Sequence, residues 1–234
     1  MPPTKDPMTD DHPVLEPTDR WRDLHVVLAA GLRHPDRQLH EEVESGGYAR
    51  ELAEIASDLA IEDDLAIDPP VVDDREITED YVALFEAART PYAPPAESPY
   101  KPWYGSRDGG LMGGPPASDM RDRYRAIEAE IPEAYPADHV ALQLEYASVL
   151  LEAGNHEEYR TFVANHLDWL PAFERATDAA AAEAPFHRWV VTLTVTAFEI
   201  GRDRLGVPDP TAEDVERMAD RIDVGAGAGQ EPRN

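Results

Sequence analysis

Apolar residues return every three or four positions through most of this chain, and proline or glycine interrupts each run. That period is the signature of a helix with one buried face; a half-buried strand would alternate every second residue. The first stripe is Trp21, Leu24, Leu28 and Leu32, with Thr18 or Asp19 as its cap and His34-Pro35 as its end. A short helix follows over 36–44 and stops at Ser45-Gly46-Gly47. A third, over 48–61, turns Leu52, Ile55 and Leu59 to the core. Further helices are predicted over 76–88, 118–131, 140–152, 156–166, 172–184, 185–205 and 211–221. Residues 190–196 are β-branched and suit a strand by propensity, but Phe186, Trp189, Leu193 and Ala197 keep the helical spacing. The expected fold is an all-α, single-domain bundle of about ten helices over residues 18–222. A disordered tail is expected at 1–17 and a flexible one at 223–234.

Two connecting stretches stand apart. Residues 90–117 form a proline- and glycine-rich loop between the fourth and fifth helices that also holds Tyr92, Tyr100, Trp103 and Tyr104. Loops of this length in compact domains are usually functional or disordered, and aromatics in a polar loop suggest packing onto the body or onto a partner. The second stretch, 132–146, is a proline-marked loop that runs into a helix. Pro136 keeps Tyr135 out of helical geometry, and Asp138 has the carboxylate of a good N-cap. An acid and an imidazole, Asp138 and His139, therefore sit where a helix begins.

Charge narrows the classes of function. The chain has 234 residues, 48 of them acidic and 21 basic, for a formal net charge of −27. Lys5 and Lys101 are its only lysines. The acid is spread along the chain among periodic apolar residues, unlike the block charge of a disordered acidic tail. Self-repulsion at this charge opposes compaction at low salt, whereas molar salt shortens the screening length to about 3 Å. A salt-rich cytoplasm, as in an extreme halophile, is the expected setting. Nucleic acid, which selects basic patches, is excluded as a partner. No cysteine is present, so disulfides, thiolate metal sites and thiol nucleophiles are excluded. The first 18 residues lack the apolar core of a secretory signal. No run approaches the roughly 18 apolar residues of a membrane helix. A cytoplasmic protein without membrane insertion is expected.

Chemistry-bearing motifs are few. The eight histidines are scattered without HExxH or other ligand spacing, which argues against a metal. Gly105-Ser106-Arg107-Asp108-Gly109-Gly110 lacks the lysine of a phosphate loop, and no nucleophile elbow occurs. No cofactor and no catalytic residue is expected. Asp138-His139 remains open between a helix cap, a binding pair and an acid–base pair, the last as a small hydrolase using Asp138, His139 and Glu145. Glu97-Ser98 reads as a turn before Pro99 or as part of a site. Tyr81, Leu84 and Phe85 read as core residues of a helix.

Three blocks resemble the TorD/DmsD/NarJ family of redox-enzyme maturation chaperones. Residues 79–85, EDYVALF, with 94–100, PPAESPY, are similar to the family's Tyr-x-x-Leu-Phe helix and its proline-rich Glu-Ser-x-Tyr segment. Residues 136–146, PADHVALQLEY, resemble its Pro-x-Asp-His motif and following helix. Residues 166–173, HLDWLPAF, resemble its His-Leu-x-x-Trp segment. At Gln143 the family often carries an acid, and the glycine-rich insert after Trp103 is longer than is common there. The resemblance implies a non-enzymatic chaperone that binds the twin-arginine signal peptide, or another N-terminal segment, of the apo-form of a molybdopterin oxidoreductase. It would hold that client from export until the cofactor is inserted. It implies a peptide site at Pro136, Asp138 and His139. Tyr81, Leu84, Phe85, Glu97, Ser98, Tyr100 and Trp103 are expected to complete the groove, since carboxylates take arginine bidentately and aromatics stack on it. A monomer or a segment-swapped dimer is expected, with residues 105–116 as the hinge.

Overall fold

A computed structural model describes residues 13–71, 76–86, 92–102, 112–180 and 183–227. Trp103, most of the expected hinge and the outer parts of both expected tails lie outside the described residues. Helices α1 (Thr18–Gly31), α2 (Arg37–Glu44), α3 (Gly47–Asp58), α4 (Glu76–Tyr81), α5 (Pro115–Ala126), α6 (Val140–Glu152), α7 (His156–His166), α8 (Leu170–Ala179), α9 (Pro185–Leu205) and α10 (Ala212–Gly227) follow in order. No strand occurs among the described residues; one antiparallel bridge joins Ala96 to His139. The fold class is all-α, as the apolar period implies.

Helix α6 is the centre. Along its length only Glu145, Val149 and Glu152 reach solvent. A helix that is apolar nearly all round must be enclosed, and α1 and α7 pack along it. Helix α1 runs antiparallel to it, so that Arg33 near the end of α1 pairs with Glu145 near the start of α6. On its other side α1 meets α3 so closely that a Cβ on Gly31 would lie 2.2 Å from the Tyr48 hydroxyl. That hydroxyl donates to the Val27 carbonyl at 3.0 Å. Helices α8 and α9 pack together, and α10 lies on α8. In α9 the β-branched stretch stays helical: Thr194 turns its hydroxyl back to the Val190 carbonyl at 2.8 Å, and Val190, Leu193 and Ala197 are buried.

The structure corrects several boundaries. Leu15, placed in the tail, is 1% exposed and belongs to the core. Neither Thr18 nor Asp19 caps α1; Pro17 occupies the cap position, and the Thr18 hydroxyl donates instead to Leu15 O at 2.8 Å. The helix expected over 76–88 is α-helical only to Tyr81. It then widens into a π-helical turn, Val82–Glu86, that carries Leu84 and Phe85. Such turns often accompany functional sites. Helix α5 starts three residues earlier than expected, with Pro115 in its first turn, where a missing N–H costs nothing. It ends at Ala126, because Glu128 adopts a left-handed φ of +54°. The amide of Ala129 then closes back on Tyr124 O at 3.0 Å.

Candidate functional site

The proline-rich loop 92–102 and the start of α6 are zipped together by backbone. Glu97 N donates to Asp138 O at 3.1 Å, and Val140 N donates to Pro95 O at 2.9 Å. The side chains lock the same seam. Asp138 Oδ2 accepts from the Ser98 amide at 2.7 Å and from the Ser98 hydroxyl at 2.5 Å. Gly114 N, just ahead of α5, donates to that hydroxyl at 3.0 Å. One carboxylate thus gathers the loop and, through Ser98, the entry to α5 onto the start of α6.

Asp138 is therefore not the cap of α6. His139 is: its Nδ1 accepts from the Ala141 amide at 3.2 Å. An accepting Nδ1 places the proton of the neutral ring on Nε2, which lies 3.4 Å from the Tyr81 hydroxyl. Burial, with Arg33 nearby, lowers the His139 pKa to about 3, so the ring is neutral at every physiological pH. Asp138 is fully buried, and desolvation raises its pKa against the hydrogen bonds from Ser98. Its second oxygen, Oδ1, has no hydrogen-bond partner among the described residues.

Glu97 is the second buried carboxylate, 2% exposed. Its Oε2 accepts from Gln143 Nε2 at 2.5 Å and contacts His166 Nδ1 at 3.0 Å. Gln143 in turn accepts from the Trp169 indole at 3.1 Å. Lys101 lies 3.8 Å from Glu97 Oε1 and pairs with Asp168, and His166 Nε2 reaches Asp119 at 2.9 Å. Burial raises the Glu97 pKa, opposed by His166 and Lys101. An acid in place of Gln143 would set two carboxylates together in the interior; the amide here donates to one neighbour and accepts from the other.

The structure brings together Asp138 with Ser98 and His139 with Tyr81, and places Glu97 in the same seam. Among the described residues it does not present the expected aromatics as walls of an open groove. Tyr81, Leu84, Phe85 and Tyr100 are each at most 2% exposed. Tyr81 packs on Phe85 at 5.1 Å and on His187 at 5.4 Å, and Tyr100 lies against Trp169 at 4.9 Å. These rings have enough apolar area that the bundle interior takes them, and among the described residues of the expected set only Pro136 is half-buried. Nor do Asp138, His139 and Glu145 converge as an acid–base set: each is engaged elsewhere, with Ser98, with Tyr81 and the Ala141 amide, and with Arg33. Among the described residues no group of three or more His, Asp or Glu side chains is placed to hold a metal. Gln143, His166, Trp169 and Lys101 join the site although their positions in the sequence do not mark them as part of it. The His-Leu-x-x-Trp block was the available signal for two of them.

The geometry defines an all-helical protein built around a buried acid–serine clasp at a helix start. The family model described as nitrate reductase delta subunit matches residues 43–175, a span that contains both the clasp and the Glu97 network. The chain belongs to that family, the NarJ/TorD-type chaperones of redox-enzyme maturation. A crystal structure of a proposed redox enzyme maturation protein from Archaeoglobus fulgidus is similar at 16% identity and a TM-score of 0.45, over 78% of this chain and 93% of that one. No curated protein sequence matches the chain. Among the described residues no helix is long and apolar enough to cross a membrane.

Proposed function

We propose that this chaperone binds the N-terminal, twin-arginine segment of a molybdopterin oxidoreductase catalytic subunit and holds the subunit while its cofactor is inserted before export, acting in the cytoplasm. The family membership supports the maturation role, and the observation that favours capture of a basic segment is Asp138 Oδ1. A fully buried carboxylate oxygen left without a donor costs about 1–3 kcal/mol, and a client guanidinium reaching past half-buried Pro136 would remove that cost. Arginine, with its planar fork of donors, suits such an acceptor.

Asp138→Asn tests this without dismantling the clasp. The amide oxygen can still accept from Ser98, while the amide nitrogen replaces the free acceptor with a donor. Client-peptide affinity in molar KCl should fall about tenfold or more by calorimetry, with the far-ultraviolet circular dichroism unchanged. Equal affinity of the variant and the parent would remove Asp138 from binding. Pulldown from cell extract should recover one large oxidoreductase; recovery of none would sink the chaperone reading of this chain.

A further inference from the structure

Away from the clasp, a groove of about 380 Å³ opens between α2, α3, the start of α9 and the segment 69–71. Its floor is aromatic: Tyr48, Phe186 and Trp189 contact one another pairwise, with centroids 5.6–6.0 Å apart. Val43 and Ala49 form one side, and Pro69, Pro70 and Val71 the other. Val71 stands fully exposed. The two prolines have no N–H, so their backbone offers acceptors only.

Charge separates this groove from the other clefts. Glu44 is its one charged lining residue among those described, and it is exposed. The cleft between α8, α9 and the start of α10 sets Arg175 and Arg202 beside Glu199 and Asp209. The cleft beside Lys101 carries four cations, Lys101, Arg202, Arg217 and Arg221, against three acids, Asp168, Asp209 and Asp214. A segment that is apolar and ends in a cation finds apolar rings, backbone acceptors and a carboxylate with no lining cation beside it in the first, whereas the acids of the other two share their clefts with arginines. The floor also touches the neighbourhood of the clasp: Phe186 packs on His187 at 5.2 Å and His187 on Tyr81 at 5.4 Å.

From this we infer that the Tyr48–Phe186–Trp189 groove is a second client contact, which takes an apolar peptide segment flanked by a basic residue next to Glu44. The inference rests on the client-binding reading above. In salt strong enough to screen long-range attraction, the apolar rings supply most of the affinity and Glu44 sets the direction of the segment.

The probe is a synthetic peptide with an arginine pair ahead of a leucine- and phenylalanine-rich run, titrated by calorimetry and by tryptophan fluorescence in molar KCl. Ala49 is half-buried on the groove wall, so Ala49→Trp fills the groove without entering the core. It should weaken binding by about tenfold or more. Glu44→Arg should weaken it several-fold, and replacing the peptide's arginines with glutamine should abolish that second difference. If Ala49→Trp binds as the parent does while Asp138→Asn does not, the groove assignment is overturned and the chaperone reading stands. If the parent itself does not bind the peptide, both fall. If Ala49→Trp changes only the mass found by light scattering, the groove joins two copies of this chain and the inference is wrong.

Discussion

Three histidines are held neutral in the interior, and each carries a consequence for stability. Burial lowers the pKa of His25 to about 4, of His139 to about 3 and of His187 to about 4. Their folded values lie below the unfolded value, so the unfolded chain binds the extra protons and stability is lost as pH falls below about 6.5. With three such groups the slope is roughly 4 kcal/mol per pH unit between about pH 6 and pH 4. Asp138 and Glu97 act in the opposite sense, since their raised pKa values make the folded state the better proton acceptor near pH 4–5. Denaturant titrations in molar KCl at descending pH should show the loss. His187 Nε2 lies 2.9 Å from Ile77 O, and His187→Gln keeps a donor there without a titrating ring. That variant should flatten the slope by about a third; an unchanged slope would mean that His187 is not neutral in the folded protein.

At the scale of elements, the clasp and the Glu97 network make the loop 92–102 part of the bundle. Glu97 bonds to Gln143 on α6 and contacts His166 at the end of α7. Glu97→Ala leaves Lys101 without one of its two acids and Gln143 without an acceptor. A cost of roughly 2–4 kcal/mol is expected in chemical denaturation, together with faster amide exchange across residues 92–102. If exchange there stays as slow as in α6, the network does not hold the loop. Helix ends supply a prediction of opposite sign. Ala60 follows α3 with a left-handed φ of +52°, and Ile61 N closes on Ala56 O at 3.0 Å. Glycine relieves the clash between Cβ and the carbonyl in that conformation, so Ala60→Gly should stabilise by about 1 kcal/mol. A loss of stability would show that the turn is not held as described.

At the scale of the molecule, a net charge of −27 on a helical bundle sets its dependence on salt. The described ion pairs are mostly exposed, such as Arg37–Glu41 and Arg217–Glu213, and exposed pairs contribute little. They do not offset the repulsion of unpaired acids, whereas screening does. The thermal midpoint should rise by at least about 10 °C between about 0.1 M and about 2 M KCl. An equal midpoint in both would remove the expectation of a salt-rich setting.

Helix content was legible because its information is local. The apolar period over 156–166 and 185–205 names those helices to the residue, and Asp36 caps α2 through Leu39, three residues on. Asp138 defeats the same logic. By local rule it caps α6, yet its carboxylate answers Ser98, forty residues earlier in the chain, and His139 takes the cap. The residue types of the candidate site could be read in sequence, and so could their three blocks. Exposure could not, because a ring in a loop carries no mark of which side of it will face water. Packing against Trp169 and Phe173 made the loop residue Tyr100 interior, whereas the helical spacing already marks Tyr81 and Phe85 as core residues. Trp189, packed on Tyr48 and Phe186, stays half-buried in the open groove. The sequence by itself determined an acidic, all-helical chain with a loop-to-helix acid–histidine motif, since charge and period are summed over neighbours. Only the tertiary structure decided which carboxylate is clasped, which oxygen is left over and which aromatic face stays open, because those follow from segments distant in the chain meeting in one place.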